Sequence, residues 1–451
     1  MKTRALAITK FFFFSKLSFL VIVILLSTSS CGKKDENKNG KEVTIVFWHS
    51  FVSSTVPALN ELIGKFEKEH PTIRIKAQYI PTGDALVQKL ITAIQSKNAP
   101  DISWIHSDFM EDLVRADAIY KMSYFTDGNN GINKEELEDI YPSLRQYASW
   151  KGTLYSLPME ATNLALLYNK EMFRKAGLDP NHPPKTWAEL EDYAQKLTLD
   201  TNGDGKYEQT GLYLPIYPAA GPLSSWMVWQ WMPYLWQAGG DIIDDAQTHV
   251  LYDSPSGIEA LSLWQRIYNR LHLSTFTSDY DVAFASKHLA MAMDGPWDLP
   301  RYNDILKNLD WAFAPLPAGP QKQATIVGGE YLAIFKQSSH PNEAWEFVKW
   351  MIKPETQAFW AIRSGYLPIR HAVLNVPEFQ QYLTKNPNFK VFVDQMDFGL
   401  AQKPIDYGGL QIQRHIAEAI EKSTVGREDV KKALEESANK SNKLLQSQKR
   451  K

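Results

Sequence analysis

The chain has 451 residues, 44% of them hydrophobic, with 14 Trp, 20 Tyr, 21 Phe and a single cysteine. Its formal charge is −2; loss of residues 1–30, which carry Lys2, Arg4, Lys10, Lys16 and no acid, takes it to −2 − 4 = −6. That balance argues against nucleic-acid binding, which needs clustered Lys and Arg to neutralise phosphates, and a chain with only one thiol forms no internal disulfide.

The first element is a leader. After the basic start, Leu17 to Leu26 is apolar apart from Ser18, and Ser27-Thr28-Ser29-Ser30 is a small-residue stretch suited to a peptidase. The run is ten residues long, against about 20 for a spanning helix. A lipoprotein signal over 1–30 is therefore expected, with Cys31 as the lipidated residue. Thr28 stands where leucine is commonest in such signals. The polar stretch 31–41 cannot bury a core and reads as a flexible tether. The expected location is extracytoplasmic, anchored by lipid to the cell membrane at the periplasm or cell surface.

About 410 residues follow, enough for two or three domains. Val43 to Trp48 is β-rich; Leu59, Leu62, Ile63 and Phe66 share a helical face within Val56 to Glu69; Ile73 to Tyr79 alternates as a strand. Leu86, Leu90, Ile91 and Ile94 return to helical spacing, and Ile102 to Ile105 is a short strand after the Ala99-Pro100-Asp101 turn. This alternation predicts right-handed crossovers and a largely parallel sheet, with ligand beyond the carboxyl ends of its strands, near Trp48-His49-Ser50 and His106-Ser107-Asp108. Further helices are expected over 172–177, over 186–197 behind a Thr186/Glu189 capping box, and over 258–271, 342–351 and 427–445.

Several blocks then resemble a known family. They are Ile45 to Ser50, Lys65 to Pro71, Ala99 to Ile102, Tyr155 to Pro158, Leu166 to Lys170, Phe173 to Leu178, Pro184 to Trp187, Trp236 to Gly240, Gly295-Pro296-Trp297, Ala314 to Pro317, Gly328-Gly329 and Ser364 to Ile369. Together they are similar to the family 1 extracellular solute-binding proteins of ABC importers, both maltose-type and glycerol-3-phosphate-type. The resemblance implies an α/β periplasmic-binding-protein-like fold of class II, in which two α/β lobes flank a ligand cleft and join through a multi-strand hinge. It implies a first lobe over 42–165 plus 313–337 and a second over 166–312 plus 338–451. It also implies a monomer that hands a small carbohydrate to the permease subunits of an ABC transporter, with no catalysis and no required cofactor. A glycerol-3-phosphate or glycerophosphodiester receptor is the alternative ligand class, and a secreted carbohydrate-active enzyme the alternative activity. The familiar hydrolase and metalloprotease motifs are missing from the sequence.

The resemblance places a sugar-contacting carboxylate at Asp108, where a helix N-cap would use the same residue. It places stacking indoles at Trp297, Trp226 and Trp229; the last two share a helical face, as either a ligand platform or a core requires. Glu160 and Asn163 precede the first crossing between lobes. Trp48 and His49 end the first strand, Gly328 and Gly329 allow close backbone approach or a tight turn, Tyr366 and Arg370 flank the Gly-Tyr-Leu-Pro-Ile motif, and Asp84 starts a helix. Separately, Asp200, Asn202, Asp204, Lys206 and Glu208 resemble the first half of a calcium loop, with Gly211 where the closing glutamate is expected. A structural calcium and a solvated turn both fit that sequence.

Overall fold

The computed structural model describes residues 42–81, 84–106, 109–127, 130–204, 207–270 and 279–448. The opening alternation forms as the periodicity predicts: strand Val43–His49, helix Val56–Glu69, strand Ile73–Tyr79, helix Asp84–Gln95, strand Ile102–Ile105. Helix Val56–Glu69 buries Leu59, Leu62, Ile63 and Phe66, the i, i+3, i+4, i+7 stripe that its sequence spells. The three strands pair in parallel, with Ile73–Tyr79 and Ile102–Ile105 on either side of Val43–His49.

The parallel pattern stops there. Strand Tyr331–Ile334 joins Ile102–Ile105 antiparallel, and Leu157–Pro158 completes five strands, also antiparallel. The reason is a short link. Tyr331–Ile334 follows strand Thr325–Gly328 after only Gly329 and Glu330, so it enters this sheet at the carboxyl end of its parallel neighbours instead of crossing over through a helix. A second sheet, Trp311–Ala314, Ala165–Asn169 and Met291–Asp294, is wholly antiparallel. A third carries Gly399–Leu400, Thr325–Gly328 and Thr162–Asn163.

Two hydrophobic cores flank these central strands. Along 164–168 the side chains alternate between them: Ala165 and Leu167 enter the first core, Leu164, Leu166 and Tyr168 the second. Every residue of strand Ala165–Asn169 is buried. A strand covered on both faces has no solvent side, which is why Leu164 to Tyr168 reads as one apolar run. The same division recurs at Phe313 against Ala314, and at Val327 against Ile326.

Packing differs from the expected partition in two places. Helices Pro341–Met351, Pro354–Ser364, Pro377–Lys385 and Pro387–Asp394 bury Phe347, Trp360, Phe379 and Phe392 in the first core, although the resemblance implies 338–451 in the second lobe. Conversely, Ala314, Leu316, Ala324 and Ile326, expected in the first, belong to the second core with helices Ser224–Gln237, Pro255–Arg270, Gly409–Thr424 and Val430–Gln448. An amphipathic helix states that it has an apolar face and says nothing of which core receives it. Among the described residues no helix is long and apolar enough to cross a membrane.

Candidate ligand-binding cleft

A cavity of about 520 Å³ opens between side chains of both cores, within the size range of small-molecule sites. Its aromatic wall comes from helix Ser224–Gln237. This helix is apolar nearly all round because most of it is buried; Trp231 and Trp236 pack into the second core, whereas Trp226 and Trp229, three residues apart, turn half-buried faces to the cavity. Their rings stack 5.1 Å apart at 15°, and Trp297 meets Trp226 edge-on at 5.7 Å. Trp297 packs against both cores. Gly295 makes its position available, since a Cβ there would lie 1.9 Å from the Trp297 ring.

The opposite wall sets His106 and Glu330, placed by strand register, among apolar neighbours such as Trp104, Ile105 and Phe109. Tyr331 pairs with Ile105 on one side and Pro158 on the other, so Glu330 lies between His106 and the Met159-Glu160 segment. His106 Nε2 stands 3.9 Å from Oε1 of Glu330. Glu160 is fully buried, accepts from Trp360 Nε1 at 2.5 Å, and contacts Glu330 carboxyl to carboxyl. Burial lifts both carboxyls above their usual range, and the Glu330 charge raises Glu160 further. Gly329 lets these segments meet: a Cβ would lie 2.2 Å from the Glu160 carbonyl. Gly328 abuts Trp229, whose ring edge would be 3.2 Å from a Cβ. Arg414, Gln402 and Gln413 add polar groups from the second half of the chain.

The cavity thus gathers Trp226, Trp229, Trp297, Gly328, Gly329 and Tyr366 from the expected set. Glu160 touches it only through Glu330. Four others of the expected set are not among the residues that line the cavity. Trp48 donates to Gln78 at 2.9 Å and lies under Lys89, away from the cavity. His49 packs between Phe47 and Phe51, and its Nδ1 accepts from the Phe51 N–H; burial pushes its pKa down to about 4. Asn163 bonds the Phe392 carbonyl and Gln395. Arg370 is buried against Asp139, at 2.8 Å, and the Ile352 carbonyl. For His49, Asn163 and Arg370, backbone groups needed partners, and the side chain that the resemblance assigned to ligand supplies one. Asp108, Cys31 and Lys206 lie outside the described residues; Asp84 opens helix Asp84–Gln95, and its side chain is not among those described.

Sequence reasoning passed over Glu330, Arg414, Gln402 and Gln413. Glu330 was open to discovery, following Gly328-Gly329 directly; the others sit in segments with no motif. In the acidic turn, carboxylate oxygens of Asp200, Asp204 and Glu208 lie within 4.8 Å of one another. Glu208 also accepts from the Thr201 N–H and hydroxyl, while Asn202 accepts from the Asp204 N–H and donates to Glu208.

The sequence model of the bacterial extracellular solute-binding proteins matches residues 61–390. The chain belongs to this family. The sn-glycerol-3-phosphate-binding periplasmic protein UgpB of Pectobacterium atrosepticum is 26% identical over 416 residues, 89% of this chain and 91% of that one. Among solved structures, the cyclic α-maltosyl-1,6-maltose binding protein of Arthrobacter globiformis superposes with a TM-score of 0.76 at 24% identity, covering 90% of this chain and all of its own. UgpB of Mycobacterium tuberculosis, in complex with glycerophosphocholine, does so with 0.75 at 22%, covering 91% and 100%. The solute-binding protein therefore has the two-lobed α/β periplasmic-binding-protein fold. It is an extracytoplasmic receptor of the ABC-importer type and not an enzyme, in a family that in general needs no cofactor.

Proposed function

We propose that this receptor captures a neutral sugar or short oligosaccharide in the indole-lined cavity and delivers it to an ABC permease. The carrying observation is the cluster of Trp226, Trp229 and Trp297 facing Glu330 and His106 across about 520 Å³. A pyranose has an apolar C–H face and a rim of hydroxyls; indoles remove the face from water while carboxylate, imidazole and amide groups take the hydroxyls. Asp108 and Asp84 stay as further candidate ligand residues. Ligand that bridges both lobes favours the closed form by its differential affinity for that form. In this reading the first lobe is 42–163 plus 328–396, and the receptor acts as a monomer held to the membrane by lipid on Cys31.

A second reading has one observation in its favour: Arg414 lines the cavity, and guanidinium suits a phosphate ester. A thermal-shift screen separates the two. Maltotriose, tagatose, sn-glycerol 3-phosphate and glycerophosphocholine are each added at increasing concentration, and ligand at about 100 times its Kd stabilises by about 2.7 kcal/mol. A sugar that raises Tm supports the first reading; a rise with the phosphate esters alone replaces it with the second. The 200–208 turn is a proposed calcium site, on the strength of its three converging carboxylates. Calcium should raise Tm, and Asp204→Asn should remove that rise; equal melting with calcium and with chelator counts against it.

A further inference from the structure

The contact between Glu160 and Glu330 poses an accounting problem. Oε1 of Glu160 and Oε2 of Glu330 are both buried, and no N–H or O–H donor reaches either. The Trp360 indole is committed to the other oxygen of Glu160. Two carboxylates in hydrogen-bond contact, out of water, repel and leave acceptors unsatisfied; one proton between them removes both penalties. The pair is not a chance approach. Met159 N donates to the Glu330 carbonyl at 2.8 Å, and Gly329 brings the two backbones together, so the strands force the side chains into one place.

The far side of Glu330 meets the cavity. Oε1 and His106 Nε2 are 3.9 Å apart, too far for a direct hydrogen bond and spaced for one hydroxyl to accept from the imidazole while donating to the carboxylate. We infer that Glu160 is a neutral carboxylic acid donating its proton to Oε2 of Glu330, so that Oε1 of Glu330, with His106, anchors a hydroxyl of the bound ligand. The hydroxyl anchor rests on the carbohydrate reading; the shared proton does not. Glu160 is thus a positioning residue and Glu330 a specificity-determining one. Ligands that lack a hydroxyl at this position are rejected, because binding them strands a desolvated carboxylate. Among the described residues the titratable or charged groups near the pair include His106, Tyr147, Tyr331 and Tyr366, with Arg414 on the same cavity and Asp298 beside Tyr366, and burial keeps the Tyr331 and Tyr366 hydroxyls protonated.

The proton has a readout that needs no ligand. Difference infrared spectra of the ligand-free protein, taken above the ordinary glutamate range, should show a protonated-carboxyl C=O band in the wild type that Glu160→Gln lacks, because burial and the neighbouring carboxyl both favour the protonated form. Identical spectra in that region overturn the inference. Binding of maltotriose and of glycerophosphocholine then tests the anchor. With the probe that binds, wild-type affinity should fall by about tenfold as rising pH takes the proton from the pair. Glu160→Gln, whose amide N–H replaces the acid O–H, should lose most of that pH dependence. Glu330→Gln should bind at least about tenfold more weakly. A Glu330→Gln protein that melts normally and binds as the wild type does overturns the anchor. If neither probe binds, the carbohydrate reading loses support, while the infrared difference still decides the proton.

Discussion

At the scale of single residues, the cleft is built by side chains whose neighbours leave them no alternative. Trp297 folds back over Gly295 and touches both cores, so its position depends on a missing Cβ as much as on its own ring. Trp297→Ala should weaken ligand binding by about 10- to 100-fold with little change in the fold, as loss of a desolvated indole does, when followed by titration calorimetry. Gly295→Ala should reproduce much of that loss with the indole still present, since the ring must leave its site. His49 illustrates a polar residue that serves the core. Its folded pKa of about 4 lies below the usual 6.5, so between those values the unfolded chain binds more protons and stability rises with pH. The contribution is complete above about pH 6.5 and is lost as pH falls towards about 4, about 2 kcal/mol after allowing for screening. Denaturant midpoints of His49→Gln across that window should show a flatter slope than the wild type; equal slopes would remove His49 from the acid sensitivity.

At the scale of elements, boundaries follow capping chemistry closely. Helix Trp187–Lys196 starts behind Thr186, with the reciprocal Glu189 bond in place, as the Thr-x-x-Glu spacing predicts. Helix Lys170–Lys175 begins two residues before the expected start because Asn169 caps it through the Met172 N–H. Helix Ser224–Gln237 contains Pro233, which has no N–H to offer the Trp229 carbonyl and so interrupts the ladder just past the two cavity indoles. Helix Pro354–Ser364 ends at Gly365, at φ 85°, where a Cβ would lie 2.5 Å from the Pro296 carbonyl. That glycine joins the segment before Tyr366 to the one bearing Trp297, both on the cavity. Gly365→Ala should therefore cost about 1–3 kcal/mol in urea unfolding and weaken ligand binding as well. A variant that keeps full affinity would sever the two segments.

At the scale of the molecule, two cores share a set of central strands, and the cavity takes its indoles mainly from one part of the chain and its acids from another. In the proposed reading, a ligand that bridges the two parts favours the closed form by its differential affinity for it. In the proposed reading, attachment rests on the lipid at Cys31. Each buried CH₂ of a lipid contributes about 0.8 kcal/mol. Cys31→Ser should move the protein from the detergent phase to the aqueous phase on Triton X-114 partition and abolish labelling by radioactive palmitate. Unchanged partition would mean that another segment holds it.

The local pattern of apolar residues determined much of this protein in advance: the opening strands and helices, the run at 164–168, and the shared face of Trp226 and Trp229. Spacing along the chain is enough for these, because a helix or strand turns its side chains at a set period; Trp297 and Gly328-Gly329 came in through the family resemblance. Only the tertiary structure decided which core takes Pro341–Met351 and its successors, that Arg370 and Asn163 are spent on internal partners, and that Glu330 stands between His106 and Glu160. Those are matters of register between strands far apart in sequence. A carboxylate that will be stranded, paired or protonated looks the same in the sequence until the strand beside it is known.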